Sequence, residues 1–144
     1  MASANHFNHW VQHMTPDNFI QMTNFIDATV QGQKLKKFLC LCGAGGTGKT
    51  KLLNEIINYV NGTGAVGVKV WEKPNEQKLK TNLIALDGYE NNYKFNGMIK
   101  EILGSDPMWV NKKVVTASCN VVIVTLEHCT EAGMNARAIY IDLF

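Results

Sequence analysis

Eight consecutive residues carry the plainest chemistry in this chain: Gly43, Ala44, Gly45, Gly46, Thr47, Gly48, Lys49 and Thr50. Together they satisfy every fixed position of a phosphate-binding loop. Glycines let the backbone curl until successive N–H groups point at one anion. A helix starting near Lys49 would aim the positive end of its dipole at the same place. In such a loop Lys49 reaches the β- and γ-phosphates of a nucleoside triphosphate, and the Thr50 hydroxyl ligates Mg²⁺. ATP with Mg²⁺ is therefore the expected ligand. The competing explanation is a chance Gly-rich turn, but the match lies between an apolar run and a helical pattern, where the mechanism needs it.

Other residues could complete such a site. Asp87 follows the apolar run Leu83-Ile84-Ala85-Leu86. A carboxylate there would hold Mg²⁺ through water, although Asp-Gly is also a common turn. Hydrolysis also needs a base for the attacking water. The position after Asp87 is Gly88, and Glu90 is the nearest acid, either that base or a surface residue. The single arginine, Arg137, precedes an apolar run near the C-terminus. A guanidinium suits the charge that develops on a transferring phosphoryl group, and one supplied by a neighbouring subunit would imply a ring or filament. Lys112 and Lys113 form a basic pair suited to a nucleic-acid backbone or to a charged turn that blunts a strand edge. His6, His9 and His13 recur at helical spacing, with no nearby carboxylate or cysteine, and read as surface residues beside a frayed terminus.

The elements that must position these groups follow from hydrophobic period. Residues 1–33 contain Asp17 and Asp27, three histidines and no Lys or Arg, whereas 34–144 open on Lys34, Lys36 and Lys37. We expect a helical lead over 1–33, a possible oligomerisation segment, and an ATPase core over 34–144. In the lead, Thr15 caps a helix with Pro16 at its first position, and Phe19, Met22, Ile26 and Val30 share a face. A shorter helix is expected over 6–13. Phe38–Cys42 is apolar on both faces, as in a central strand. Leu52, Leu53, Ile56, Ile57 and Val60 mark a helix from Lys49 that Asn61-Gly62 ends. Further strands are expected at 65–71, 83–86, 121–125 and 138–144, with a helix over 95–103. A hairpin is expected from Trp109-Val110 and Val114-Val115. Alternation of this kind predicts a layered α/β fold with a largely parallel sheet.

Composition agrees. The 144 residues are 46% hydrophobic and 18% charged, with a net charge of +2, which excludes a disordered or fibrous chain and does not by itself announce nucleic acid. No apolar run approaches the ~20 residues that span a bilayer, and residues 1–14 lack the pattern of a signal peptide. Cys40, Cys42, Cys119 and Cys129 lack zinc-knuckle spacing and read as reduced thiols of an intracellular protein.

The order of these motifs resembles the superfamily 3 helicases of small viruses, especially parvovirus-type replication proteins and the circovirus-type Rep helicase domain. The resemblance covers roughly residues 35–144. Gly43–Thr50 resembles their Walker A motif and Ile84–Asp87 their Walker B. Trp109–Val114 resembles the B′ hairpin, whose basic residues contact single-stranded DNA, and Val121–Thr125 resembles motif C. Arg137 before Ile139-Tyr140-Ile141 resembles the arginine-finger region. Trp71-Glu72-Lys73-Pro74 is similar to a segment of circovirus-type proteins. The resemblance implies a P-loop NTPase (AAA+-like) three-layer sandwich and an ATP-driven motor on single-stranded DNA. It also implies a ring, with a hexamer expected, no membrane, and a host-nuclear location for a DNA-virus protein or a cytoplasmic one otherwise. The chain departs from the family in having Gly88 where a second acid usually follows Asp87. It also has Glu127-His128 where motif C usually ends in Asn. Alternatives remain: an RNA-virus helicase of the same superfamily, a nucleotide kinase, or a binding-only nucleotide protein. A kinase usually needs several arginines. A GTPase would need Asn-Lys-x-Asp, and Asn111-Lys112-Lys113-Val114 lacks the Asp.

Overall fold

The computed structural model describes residues 3–87, 89 and 93–144. Gly88 and Glu90 lie outside the described residues. Five strands form one parallel sheet: β1 (Phe38–Cys42), β2 (Gly67–Val70), β3 (Leu83–Leu86), β6 (Asn120–Thr125) and β7 (Ala138–Asp142), in the order β2-β3-β6-β1-β7. β4 (Pro107–Val110) and β5 (Lys113–Thr116) pair antiparallel as a separate hairpin. The helices are α1 (Ser3–His6), α2 (Pro16–Val30), α3 (Lys49–Gly62), α4 (Glu76–Leu79), α5 (Tyr93–Leu103) and α6 (Ala132–Arg137), with a 3₁₀ helix over Asn8–His13.

Alternation along β1 divides the core. Leu39 and Leu41 face a cluster built with Leu52, Leu53 and Ile56 of α3 and with Phe7, Trp10, Met14, Met22 and Ile26 of the lead. Phe38, Cys40 and Cys42 face the other side, with Ile99 and Ile102 of α5 and Met108, Val110 and Val115 of the hairpin. Because both faces are covered, the central strands are apolar throughout, as parallel sheets require. The result is the expected three-layer α/β sandwich.

Several expectations shift. Instead of one helix over 6–13, the chain forms α1 and the 3₁₀ turn. It is not frayed there: Phe7, Trp10 and Met14 are buried, Ser3 N–H donates to Asp27 Oδ1 (2.8 Å) and Ser3 Oγ donates to the Thr23 carbonyl (3.1 Å). Thr15 does cap α2, accepting from Asn18 N–H at 3.2 Å. α3 ends at Gly62, as Asn61-Gly62 predicts. Past that end the Asn61 side chain bonds both backbone groups of Gly67, and Gly64 sits at φ +96° in the turn between. The first strand after α3 is Gly67–Val70, shorter than 65–71, and the last ends at Asp142. Helices α4 and α6 were not expected from the sequence.

Candidate nucleotide site

The site is built where β1 ends. Parallel strands put the C-terminal ends of β1, β3, β6 and β7 at one edge of the sheet, and the Gly43–Thr50 loop leaves that edge to enter α3. The root of the loop is tied on two sides: Gly43 N–H donates to the Thr125 carbonyl at 3.3 Å, and Leu143 N–H donates to the Cys42 carbonyl at 2.7 Å. A Cβ on Gly43 would lie 2.9 Å from Thr47 Oγ1 and 3.0 Å from the Leu143 carbonyl oxygen, so only glycine fits there. Gly46 (φ +84°) and Gly48 (φ +89°) adopt the left-handed region that glycine alone reaches at little cost. Gly48 is the N-cap of α3 and offers no side chain to its first-turn N–H groups. Those donors are left for a ligand. Gly45, Gly46, Gly48, Lys49, Thr50 and Lys51 line an open hollow of about 340 Å³. Lys49 Nζ donates to the Gly43 carbonyl and lies 3.5 Å from that of Ala44, and Thr47 Oγ1 donates to the Ala44 carbonyl at 2.8 Å. The loop is thus closed on itself around the lysine.

Trp10 was not anticipated here. Its ring abuts Gly48, with the nearest ring carbon 3.2 Å from where a Cβ would stand. Its indole N–H donates to Glu55 Oε2 of α3, and His9 Nε2 lies 3.2 Å from Glu55 Oε1. The lead therefore supports the loop from beneath. No local sequence signal links residues so far apart in the chain.

The other expected site residues are dispersed. Asp87 stands just past β3 at the same sheet edge, with β6 between β3 and β1, and lies 3.6 Å from Lys69 Nζ of β2. Arg137 is not at the loop. Ala138 pairs with Phe38, the first residue of β1, so the Arg137 backbone stands at the opposite end of β1 from Gly43. Its guanidinium donates back to the Gly133 carbonyl at 2.8 Å. Lys112 is exposed in a two-residue turn with Asn111, both at positive φ (+65° and +47°), the geometry that closes a tight hairpin. Lys113 is the first residue of β5 rather than part of the tip, and pairs with Glu76 at 2.8 Å. Trp109, on the outer face of this hairpin, is 65% exposed, and Lys73 Nζ donates to its carbonyl at 3.0 Å. The four cysteines are free and buried. Among the described residues, no helix is long and apolar enough to cross a membrane.

Solved structures share this architecture. The crystal structure of DnaI superposes with a TM-score of 0.54 at 16% identity, covering 90% of this chain and 84% of that one. The inhibitor-bound JCV helicase gives 0.54 at 15% identity, covering 84% of this chain and 39% of its own. NtrX from Brucella abortus in complex with ATP gives 0.55 at 13% identity, covering 88% and 36%. The chain thus spans well under half of the last two, and at these identities the likeness is one of fold. No curated protein matches the chain. The family model of parvovirus non-structural protein NS1 matches residues 9–131, which include the loop, Asp87 and the hairpin, and the chain belongs to that family as a viral helicase domain of the superfamily 3 type.

Proposed function

We propose that this chain is the ATP-hydrolysing motor portion of a viral replication protein, working as a ring, a hexamer by expectation, on single-stranded DNA. The observation that carries this reading is the Gly43–Thr50 loop: a glycine cradle whose helix N-terminus is uncapped and faces an open hollow. The fit is chemical as well as steric, because donors without partners surround a space that a triphosphate can enter. Lys49 exchanges its bonds to the Gly43 and Ala44 carbonyls for phosphate oxygens. Thr50 and Asp87 are the residues that would hold Mg²⁺, which when bound offsets phosphate charge. Glu90 is the nearest acid to serve as base for the attacking water.

Arg137 is proposed to act on a neighbour's nucleotide, a reading supported by its separation from the loop of its own chain. Outward-facing Val11 and Ile20 on the lead give a second subunit apolar surface to meet. Lys112 and Lys113 would follow the phosphate backbone, with exposed Trp109 available for base stacking. A DNA-virus motor of this kind would work in the host nucleus. Backbone contacts do not separate DNA from RNA, so an RNA substrate is the second reading.

The test is ATP turnover against protein concentration, with and without single-stranded DNA or RNA, for the wild type, Lys49→Ala and Arg137→Ala. Turnover should rise more than linearly with protein, respond to one nucleic acid and be lost in both variants. Turnover proportional to protein, indifferent to nucleic acid and unharmed by Arg137→Ala would leave a monomeric kinase-like or binding-only protein.

A further inference from the structure

Three side chains with donor atoms of different softness converge at the root of the loop, and none is among the residues assigned above to the nucleotide or its Mg²⁺. Cys42 ends β1 and Asp142 ends β7, and the two are directly paired across the strands. His128 comes from the segment after β6. The Cys42 Sγ, a His128 ring nitrogen and an Asp142 carboxylate oxygen all lie within 4.8 Å of one another. His128 Nε2 is 2.7 Å from Asp142 Oδ1. The imidazole is held flat on the Tyr140 ring, with centroids 3.7 Å apart and planes 3° from parallel. Cys42 is almost wholly buried, and its thiol donates a long bond of 3.6 Å to the Leu126 carbonyl. His128 and Asp142 are about half exposed, which gives an ion a way in from solvent.

We propose that Cys42, His128 and Asp142 form a zinc-class divalent metal site, distinct from the proposed Mg²⁺ position at Thr50 and Asp87. The donor set is one sulfur, one imidazole nitrogen and one carboxylate oxygen, which suits Zn²⁺ and does not suit Mg²⁺. Tetrahedral bonds of about 2.0–2.3 Å place ligand atoms about 3.4–3.6 Å apart. The His128–Asp142 contact must therefore open by roughly 0.7 Å, and the sulfur must draw in from no more than 4.8 Å. Two half-exposed side chains allow that shift without moving the strands. Binding releases the Cys42 thiol proton to solvent as the S–Zn bond forms. Thiolate and carboxylate together neutralise the ion, and solvent takes the fourth position. The consequence is mechanical. The metal would clamp β1, β7 and the segment after β6 beside Gly43, which already packs against Leu143.

The experiment uses the untagged chain under reducing conditions. Zn²⁺ is titrated in competition with a chromophoric chelator, and Co²⁺ is used as a spectroscopic substitute. The wild type should bind one ion, show thiolate-to-cobalt charge-transfer absorption, and rise in thermal midpoint with Zn²⁺. His128→Ala and Asp142→Asn should each lose at least about tenfold in affinity, together with the thermal shift. Cys42→Ser should lose the charge-transfer band. Cys42 is buried, so if Cys42→Ser does not fold, the two exposed variants decide. The absence of one-to-one binding overturns the proposal. So does zinc binding that lacks the thiolate band and survives both exposed substitutions, which would assign the ion to His6, His9 and His13.

Discussion

Gly48 is constrained twice, by its own backbone and by a residue from the other end of the fold. Its φ of +89° costs a residue with a Cβ about 1–2 kcal/mol, and the added methyl would meet the Trp10 ring at 3.2 Å. Gly48→Ala should therefore lower stability, and Trp10→Ala should do so by about 3–5 kcal/mol through loss of a buried aromatic. The double variant separates the two causes. Removing the ring relieves the steric part and leaves the dihedral part, so the urea-derived losses of the two single variants should sum to more than the loss in the double. Exact additivity would mean the ring yields freely. The glycine itself was legible in the sequence because the loop pattern demands it. The tryptophan was not, because its partner is fixed only by how the lead folds back. The same holds for Arg137: its type and place before an apolar strand were plain, but its distance from the loop of its own chain depends on strand register.

Elements were read best where their period was long. α2 and α3 carry four or more buried residues each at helical spacing, and both begin where a cap or a glycine turn predicts. α6 has six residues, including Gly133, and one buried side chain, Met134, so it has almost no period to read. Tertiary partners hold it instead. Lys100 of α5 donates to Glu131 Oε1, and Asn96 Nδ2 donates to Glu131 Oε2 at 3.2 Å. These bonds, the lysine's first, hold the Glu131 carboxyl below its ordinary value. A depressed carboxylate adds stability that is complete above its unfolded pKa, near 4.5, and is lost as pH falls through the lower folded value. Glu131→Gln should thus flatten the acid limb of the urea midpoint against pH and leave the neutral region with only a modest offset. An unchanged acid limb would mean that the α5–α6 link carries no charge dependence. The hairpin makes a related point. The hairpin was expected, with Asn111-Lys112-Lys113 between its strands, but its turn is two residues long and the basic pair divides, because Lys113 begins β5 and pairs with Glu76. Lys112→Ala and Trp109→Ala should each weaken single-strand binding, with Lys112 alone reducing its salt dependence. Titrations at two salt concentrations read both effects.

At the scale of the whole molecule, the charge change near residue 33 suggests a seam between lead and core, and packing across it sets how the chain unfolds. Asn120, buried at the start of β6, accepts from Leu35 N–H (2.8 Å) and donates to Thr29 Oγ1 (2.9 Å) and the Gln33 carbonyl (3.0 Å). Asn82, before β3, donates to the Thr29 carbonyl at 3.1 Å. Two asparagines thus join the end of α2 to the heads of two strands, while Phe7, Trp10 and Ile26 share one apolar cluster with Leu41 and Leu52. Composition exposes the change of charge but not these bonds, because a buried Asn and a surface Asn look alike in one sequence. Lead and sheet should therefore melt together. With Trp71 and Trp109 changed to Phe, Trp10 is the only tryptophan and reports the lead alone. Its fluorescence midpoint in urea should coincide with that of far-ultraviolet circular dichroism. Asn120→Ala strands the Leu35 N–H and the Gln33 carbonyl, while the Thr29 hydroxyl keeps its bond to the Phe25 carbonyl, so both midpoints should fall together, by on the order of 2–4 kcal/mol. A tryptophan transition that precedes the loss of secondary structure would make the lead a separately folding segment. It would also turn the contact of Trp10 with Gly48 from a fixed support of the loop into one that can be released.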